Sequence, residues 1–332
     1  MSFSNISGHT KEISILRNSI LGNRLAHSLL FAGPEGIGKR LVALEVAKAL
    51  NCHRGGSDAC GQCADCEQID AQTHRNVIQI WPINKDDEPD PNGLIKIEQI
   101  RDIQNSIKFR VERGSKVVIV NAADRMMAGA ANAFLKTLEE PPAGSIIILI
   151  SSRSADFLPT ILSRCQRITF RPLPDEIVSG YLVDKRGIAP EDAASVARLS
   201  GGSISRAIKF MDEGANEKRR EILERLTRLT PRDTDDVLKF AEELSKRDDL
   251  DEVLEFLKSW MRDRLVSNEG AGELIVNSDM GSYMGKGSRE FRHLWDSFMM
   301  IENAKRGIMP PRYGNKQLAM ETLLLRIVGC GI

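Results

Sequence analysis

The stretch GPEGIGKR, at positions 33–40, lies between a short apolar run and an amphipathic pattern. The run, Ser28–Ala32, has the composition of a parallel strand that is buried on both faces. The pattern continues to Leu50 and is typical of a helix that packs on a sheet. The sequence therefore predicts a strand, a glycine-rich turn and a helix in direct succession.

This succession is the setting of a phosphate-binding loop. Glycines let backbone N–H groups point at an anion, and the helix N-terminus attracts negative charge. The candidate nucleotide-binding residues are Gly33, Gly36, Gly38 and Lys39. The motif also requires Ser or Thr after the lysine to ligate magnesium, whereas this chain has Arg40. We expect a degenerate P-loop, and the sequence does not decide whether it binds ATP. The alternative is a glycine-rich turn that binds nothing.

Strands and helices alternate over the first 170 residues. Further strand-like runs are Val77–Ile80, Lys116–Val120 and Ser145–Ile150, with helical patterns between them. Such alternation predicts an α/β domain with a parallel sheet. After Pro172 only helical patterns remain. We predict an α/β domain over residues 1–172, a three-helix lid over 173–213 and a helical domain over 214–332.

The second half of an ATPase site is also altered. In an active site, a strand ends in an Asp that holds magnesium, followed by a Glu that polarises the attacking water. Here the strand Val117–Val120 is followed by Asn121, Ala122, Ala123 and Asp124. Asn121 replaces the metal-binding Asp, and Ala122 replaces the catalytic Glu. Together with Arg40, these changes predict that the chain does not hydrolyse ATP.

Two further segments carry a resemblance to a known family. They are LKTLEEPP at residues 135–142 and ILSRC at residues 161–165. With the degenerate loop, they resemble the AAA+ subunits of the bacterial DNA polymerase III clamp loader, and the delta-prime type rather than the motor type. The resemblance covers residues 1–210 well and the remainder only as helical content.

The resemblance implies a fold, partners and a role for one arginine. The fold would be an AAA+ P-loop-type sheet domain with an inserted zinc module, a helical lid and an all-α collar domain that mediates oligomerisation. Arg164 of the Ser-Arg-Cys segment would be an arginine finger, acting in trans on a nucleotide held by a motor subunit. The chain would form a hetero-oligomer with motor and delta-type subunits and help to load a sliding clamp on primed DNA. Ser152 would stand at the family's first sensor, which is usually a polar residue. At the second sensor, Ser205 would align with the Arg of the motor subunit, and Arg206 is one place off.

Four cysteines lie close together in the sequence. Cys52, Cys60, Cys63 and Cys66 have the spacing C-x7-C-x2-C-x2-C, which indicates a zinc site in a reducing compartment. Four sulfur ligands leave no position for a substrate, so the zinc would be structural, in a module spanning residues 50–68. His53 could also ligate zinc in place of a cysteine, because histidine is a common zinc ligand. Its position directly after Cys52 disfavours this role.

Composition limits the other functions. Lys plus Arg and Asp plus Glu number 46 each, which gives zero formal net charge and argues against a stand-alone DNA-binding protein. The amino terminus lacks a signal-peptide pattern, and no apolar run approaches the ~20 residues of a membrane span, so we expect a cytoplasmic protein without membrane contact. Two alternatives stay open: an active clamp-loader motor subunit, and a zinc-dependent nucleic-acid-binding module.

Overall fold

The computed structural model of the chain describes residues 2–109, 111–154, 157–211, 215–283, 291–308 and 314–329. Within these ranges the chain divides into two compact units, residues 1–208 and 209–332. The boundary predicted at residue 214 lies outside the described residues.

A five-stranded parallel sheet forms the centre of the first unit. Its strands are β1 (Ser28–Ala32), β2 (Val77–Ile80), β3 (Lys116–Val120), β4 (Ser145–Ser151) and β5 (Gln166–Thr169). They lie in the order β2-β3-β4-β1-β5, and every neighbouring pair is parallel. In the register, Ala32 pairs with Ser151 and with Thr169. The strand that precedes the glycine-rich loop therefore lies inside the sheet, between β4 and β5.

Helices cover both faces of the sheet. They are α1 (Thr10–Leu21), α2 (Lys39–Asn51) and α3 (Ala64–Asp70) on one face, and α4 (Ile97–Ser106), α5 (Ala128–Glu139) and α6 (Pro159–Leu162) on the other. Alternate strand residues enter the two cores: Phe31 packs with α2, and Leu30 packs with α5. This double burial explains why β1, β3 and β4 are apolar at nearly every position, whereas the edge strand β5 is mostly exposed and polar. The α/β fold class is confirmed.

Three short helices follow the sheet domain, in the region where the sequence predicts a lid. They are α7 (Asp175–Arg186), α8 (Pro190–Ser200) and α9 (Ile204–Phe210). The first ends at Gly187 and the second at Gly201, both with left-handed backbone conformations. Glycine adopts this conformation without strain, so these residues end their helices as expected.

The second unit is helical and has its own core. Its helices are α10 (Ala215–Arg228), α11 (Thr234–Ser245), α12 (Leu250–Asn268), α13 (Phe291–Ile308) and α14 (Lys316–Val328). The core includes Leu223, Phe240, Leu257 and Leu324, all buried. Apolar side chains on several different helices thus meet in one cluster, as the amphipathic patterns predict.

None of the described helices combines the length and apolar composition that crossing a membrane requires.

Candidate functional site

The candidate nucleotide site lies at one edge of the sheet. Because β1, β3 and β4 are parallel, their carboxyl ends meet there. Gly33 follows β1, Asn121 follows β3, and Ser152 follows β4. This edge is where open parallel sheets bind ligands, so the topology brings together the residues that the sequence singled out.

Two glycines of the loop are required by close packing. A Cβ atom on Gly33 would lie 2.3 Å from the carbonyl oxygen of Phe170, and one on Gly36 would lie 2.4 Å from Ser203 Oγ. Gly36 also has a φ of 74°, in the left-handed region that favours glycine. The loop therefore contacts its own domain closely at both positions.

Lys39 is directed at the loop itself. Its Nζ donates to the carbonyl oxygens of Gly33 at 2.6 Å and of Pro34 at 2.5 Å, and the residue is 5% exposed. Burial lowers the pKa of Lys39 to about 8, although Glu35 and Asp124 nearby favour the charged form. The lysine that would hold outer phosphates thus stabilises the backbone turn in this structure.

Arg40, the residue after the loop lysine, lies against an aromatic ring. Its guanidinium carbon is 5.0 Å from the centre of the Trp81 ring, and its Nε donates to Gln79 Oε1 at 3.4 Å. A cation over a tryptophan face is attracted by the ring quadrupole. These two contacts hold the guanidinium at the end of β2.

The two residues that follow β3, Asn121 and Ala122, carry no carboxylate. Asn121 is 4% exposed, and its Nδ2 donates to the carbonyl of Ile80 at 3.1 Å. Ala122 adopts a left-handed conformation with a φ of 46°, and its methyl group offers no hydrogen bond. Neither side chain supplies an anionic oxygen for a metal ion or a general base for water.

A remaining acid, Asp124, is neutralised internally. Its carboxylate is buried, pairs with Arg153 at 3.1 Å and accepts the backbone N–H of Ser152 at 3.3 Å. The sequence analysis did not find this pair, because no periodic pattern links residues that far apart. Through these two contacts, Asp124 stabilises the backbone at the end of β4.

Ser205 and Arg206, which the sequence analysis compared with the family's second sensor, lie at the start of α9. The backbone N–H of Ser205 donates to the carbonyl of Gly36 at 3.2 Å. The Arg206 backbone N–H donates to Ser203 Oγ at 3.2 Å, as at a helix start. The start of α9 therefore contacts the glycine-rich loop through its main chain.

Arg164 lies outside this edge cluster and near the surface. It follows the one-turn helix α6, which begins at Pro159, because proline is favoured at the first helical position. Its Nε and Nη2 donate to Glu139 Oε2 at 3.2 and 3.1 Å, and Nη1 donates to the carbonyl of Thr160 at 3.0 Å. The side chain is 30% exposed, and Glu139 is 57% exposed. A charged, planar donor is thus held by a solvent-accessible carboxylate.

The four clustered cysteines converge in space. The sulfurs of Cys52, Cys60, Cys63 and Cys66 all lie within 4.8 Å of one another, and all four thiols are free. Cys52 follows α2, Cys63 precedes α3, and Cys66 lies in its first turn. The backbone N–H of Gln62 lowers the pKa of the Cys60 thiol to about 6, whereas burial raises that of Cys66 to about 12.

The sulfur spacing fits a tetrahedral metal ion. Zinc–sulfur bonds of about 2.3 Å place tetrahedral sulfurs about 3.8 Å apart. The Cys52–Cys63 and Cys60–Cys66 sulfur pairs are each 4.0 Å apart, much longer than a disulfide. His53 is not one of the four converging ligands; its ring lies 3.6 Å from Asp65, and its side chain is 72% exposed. The cluster can therefore hold one metal ion with all four positions filled by sulfur.

A buried lysine connects this cluster with α2. Lys48 is fully buried, and its Nζ lies 2.5 Å from Asp70 Oδ1, at the end of α3, and 2.9 Å from Glu45 Oε1. Burial alone would lower the pKa of Lys48, but the hydrogen bonds to Asp70 and Glu45 outweigh it and raise the pKa. The sequence analysis read this helix only as an amphipathic pattern and missed the ion pair.

Comparison with known proteins gives matches in both units. The family described as "DNA polymerase III, delta subunit" matches residues 8–174. The family described as "DNA polymerase III, delta subunit, C terminal" matches residues 213–329. The first match contains the glycine-rich loop, the cysteine cluster and Arg164.

Individual relatives agree with these matches. The DNA polymerase III subunit delta' of Bacillus subtilis is 33% identical over 63% of this chain and 62% of its own length. The subunit delta' of Pseudomonas aeruginosa is 35% identical over 64% of each chain. The tau subunit of Bacillus subtilis is 33% identical over 64% of this chain but 37% of its own length. The matched region thus spans less than two thirds of each of these relatives.

Among solved structures, a gamma-subunit-related protein of DNA polymerase III from Thermotoga maritima is similar, with a TM-score of 0.43 and 20% identity over 96% of this chain and 98% of its own. Because one family profile spans residues 8–174 and a second spans residues 213–329, this chain belongs to the DNA polymerase III delta subunit family.

Proposed function

We propose that this chain is a delta-prime-type clamp-loader subunit of a replicative DNA polymerase. It has an AAA+ fold without ATPase activity of its own, and it presents Arg164 to ATP held by a neighbouring motor subunit. It works in the cytoplasm, in a hetero-oligomer with motor and delta-type subunits that opens a sliding clamp and places it on primed DNA. No covalent step belongs to this chain.

One observation carries the loss of ATPase activity: the polar groups at the nucleotide edge are committed to the chain itself. Lys39 binds loop carbonyls, Asn121 binds Ile80, and Asp124 pairs with Arg153. Magnesium-dependent hydrolysis needs a hydroxyl, a metal-binding carboxylate and a base for water. Arg40, Asn121 and Ala122 stand where these three groups are required.

Arg164 differs from this buried set because its charge is accessible. Its partner Glu139 is itself exposed, so solvent screens the ion pair and makes it inexpensive to exchange for another anion. The guanidinium is always charged and presents a planar fork of donors, which suits a phosphate on an adjacent subunit. These properties support a role in trans.

The alternative is an active motor subunit. The identity to a tau subunit and the retained Lys39 favour it. The absence of carboxylates at residues 121 and 122 opposes it. ATP turnover by the isolated chain with primed DNA separates the two, since only a motor hydrolyses ATP alone.

The cysteine cluster supports a structural zinc ion as part of the same proposal. Cys52, Cys60, Cys63 and Cys66 would hold it through thiolates, and zinc would supply a cross-link rather than a reactive centre. Such a site stabilises a small module that contains little secondary structure.

The second unit supports the proposed collar, residues 214–332, because it leaves large apolar side chains in solvent. On α13, Phe291 and Trp295 are 49% and 47% exposed and stack with ring centres 6.4 Å apart, and Met299 is 39% exposed one turn later. A row of exposed apolar residues on one helix is typical of a surface that packs against another protein. We propose that this row contacts the equivalent domain of a partner subunit.

The buried lysine gives a prediction about proton binding. The Lys39 amine should titrate with a midpoint near pH 8. NMR of methylated lysines measures this midpoint. The signal of Lys39 is assigned by its loss in Lys39→Arg. The unfolded chain binds this proton more tightly, with the ordinary lysine pKa of 10.5. The contribution of Lys39 to the free energy of unfolding should therefore increase as pH rises from about 8 to 10.5. A Lys39 midpoint above 10 would contradict the buried contacts.

The metal assignment predicts about one zinc per chain in protein purified without chelators. Cys63→Ser should weaken zinc binding by at least about 100-fold, since losing an outer contact to a ligand already costs about 10- to 100-fold. Residues 52–70 should loosen while the sheet stays folded. Cys165→Ser is the matched control, because burial raises the pKa of that isolated thiol to about 11 and it lies outside the cluster. Full zinc content in Cys63→Ser would show that the assignment is wrong.

The trans role predicts effects of very different size for two variants in the assembled loader. Arg164→Ala should reduce ATP-dependent clamp loading at least about tenfold, since arginine fingers of GTPases contribute roughly 10³–10⁵ in rate. Arg164→Lys should restore little, because an ammonium lacks the planar fork. Lys39→Ala should have a much smaller effect.

Arg167→Ala is the matched control, because Arg167 is also exposed and binds Ser154 rather than Glu139. All variants should retain zinc and assemble. If Lys39→Ala abolished loading and Arg164→Ala did not, the chain would be a motor subunit.

The collar proposal predicts that deletion of residues 214–332 abolishes assembly while zinc content is kept. Trp295→Ala in the full chain should weaken co-purification with partner subunits several-fold, because an interface loses an exposed aromatic anchor. Trp81→Ala, which removes an exposed tryptophan of the first unit, is the control. Normal assembly of the truncated chain would exclude the collar role.

A further inference from the structure

The cysteine module, defined here as residues 52–70, contacts the segment that begins the chain. Asp58 Oδ1 accepts the backbone N–H of Phe3 at 3.0 Å and that of Ala59 at 2.8 Å. Asp58 Oδ2 also lies 4.0 Å from Arg17 Nη2 on α1. One carboxylate of the module thus binds both the amino-terminal segment and the first helix.

The amino-terminal segment, residues 2–9, continues from this contact to the glycine-rich loop. Phe3 is 2% exposed and packs into the core on the α2 face of the sheet. At the other end of the segment, His9 Nε2 donates to the carbonyl of Ile37 at 2.6 Å. The His9 ring packs edge-on against Phe170, with ring centres 5.0 Å apart. The segment therefore joins the cysteine module to the loop at residues 33–40.

Regular secondary structure does not explain the position of Asp58. In the described chain, residues 53–63 form neither a helix nor a strand, and Asp58 lies between the cluster members Cys52 and Cys60. The backbone N–H of Cys60 donates to Cys52 Sγ at 3.4 Å, so this loop folds around the sulfur cluster. A metal ion that joins the four sulfurs would fix the loop, and with it the carboxylate of Asp58.

We propose that the cysteine module is a metal-dependent clasp for the amino-terminal segment. With the metal bound, Asp58 holds Phe3 in place. Residues 2–9 then extend to Ile37, where the His9 contact supports the glycine-rich loop. Loss of the metal releases Asp58, frees the segment and removes the His9 contact from the loop. The proposal rests on metal binding but not on ATPase inactivity, on Arg164 or on the collar.

Hydrogen–deuterium exchange of the full-length chain tests this clasp. In wild-type protein, chelation of zinc should raise exchange in residues 2–9 at least about tenfold and raise exchange in residues 33–39 less, while α5 stays protected. Zinc-loaded Asp58→Ala should show the same increase in residues 2–9 with its zinc content unchanged. Asp86→Ala, in an exposed acidic loop, should behave as wild type.

The Asp58 variant separates the clasp from the metal site itself. Increased exchange of residues 2–9 in zinc-loaded Asp58→Ala, with full zinc content, supports the clasp. Wild-type protection of residues 2–9 in that variant overturns it, whatever chelation does to the rest of the domain. Unchanged protection of residues 2–9 in the chelated wild-type chain overturns it as well.

Discussion

The position of β1 inside the parallel sheet is the constraint on which the first unit depends. β1 pairs with β4 on one side and β5 on the other, and its side chains enter both cores. The glycine-rich loop must therefore leave the sheet at a buried edge, where Gly33 approaches the backbone of Phe170 too closely for any side chain. Burial of apolar strands, rather than any ligand, fixes the location of this loop.

The residues that form the sheet are therefore different from the residues of the candidate nucleotide site, which follow the strands. On the proposed function, the replacements at residues 40, 121 and 122 all lie at the sheet edge, and each fits its surroundings without disturbing the strands. Arg40 stacks on Trp81, and Asn121 donates to Ile80. A buried polar group is tolerated when it is hydrogen-bonded, so Asn121 is compatible with the buried end of β3. On the proposed function, what the chain still contributes lies at its surface, at Arg164 and on the exposed face of α13.

Features with a local or periodic signal could be predicted from the sequence. The strand Ser28–Ala32 and the cysteine spacing gave the right element and the right cluster. The order of the strands and the pairs Asp124–Arg153, Lys48–Asp70 and Asp58–Phe3 were missed. Each pair joins residues 22 to 55 positions apart through one or two polar contacts, which leave no pattern along the chain. Such contacts depend on packing of whole elements, which a single sequence does not specify residue by residue.

The helix α2 shows how the two halves of the candidate site depend on each other. Its 13 residues span about 20 Å, beginning at Lys39 in the loop and ending just before the metal-ligand candidate Cys52. At its far end, the N–H of Cys52 donates to the carbonyl of Lys48, whose side chain reaches Asp70. One continuous helix thus links the glycine-rich loop to the cysteine cluster. On the proposed function, the loop is ordered without nucleotide hydrolysis, through this helix and through the segment that ends at His9.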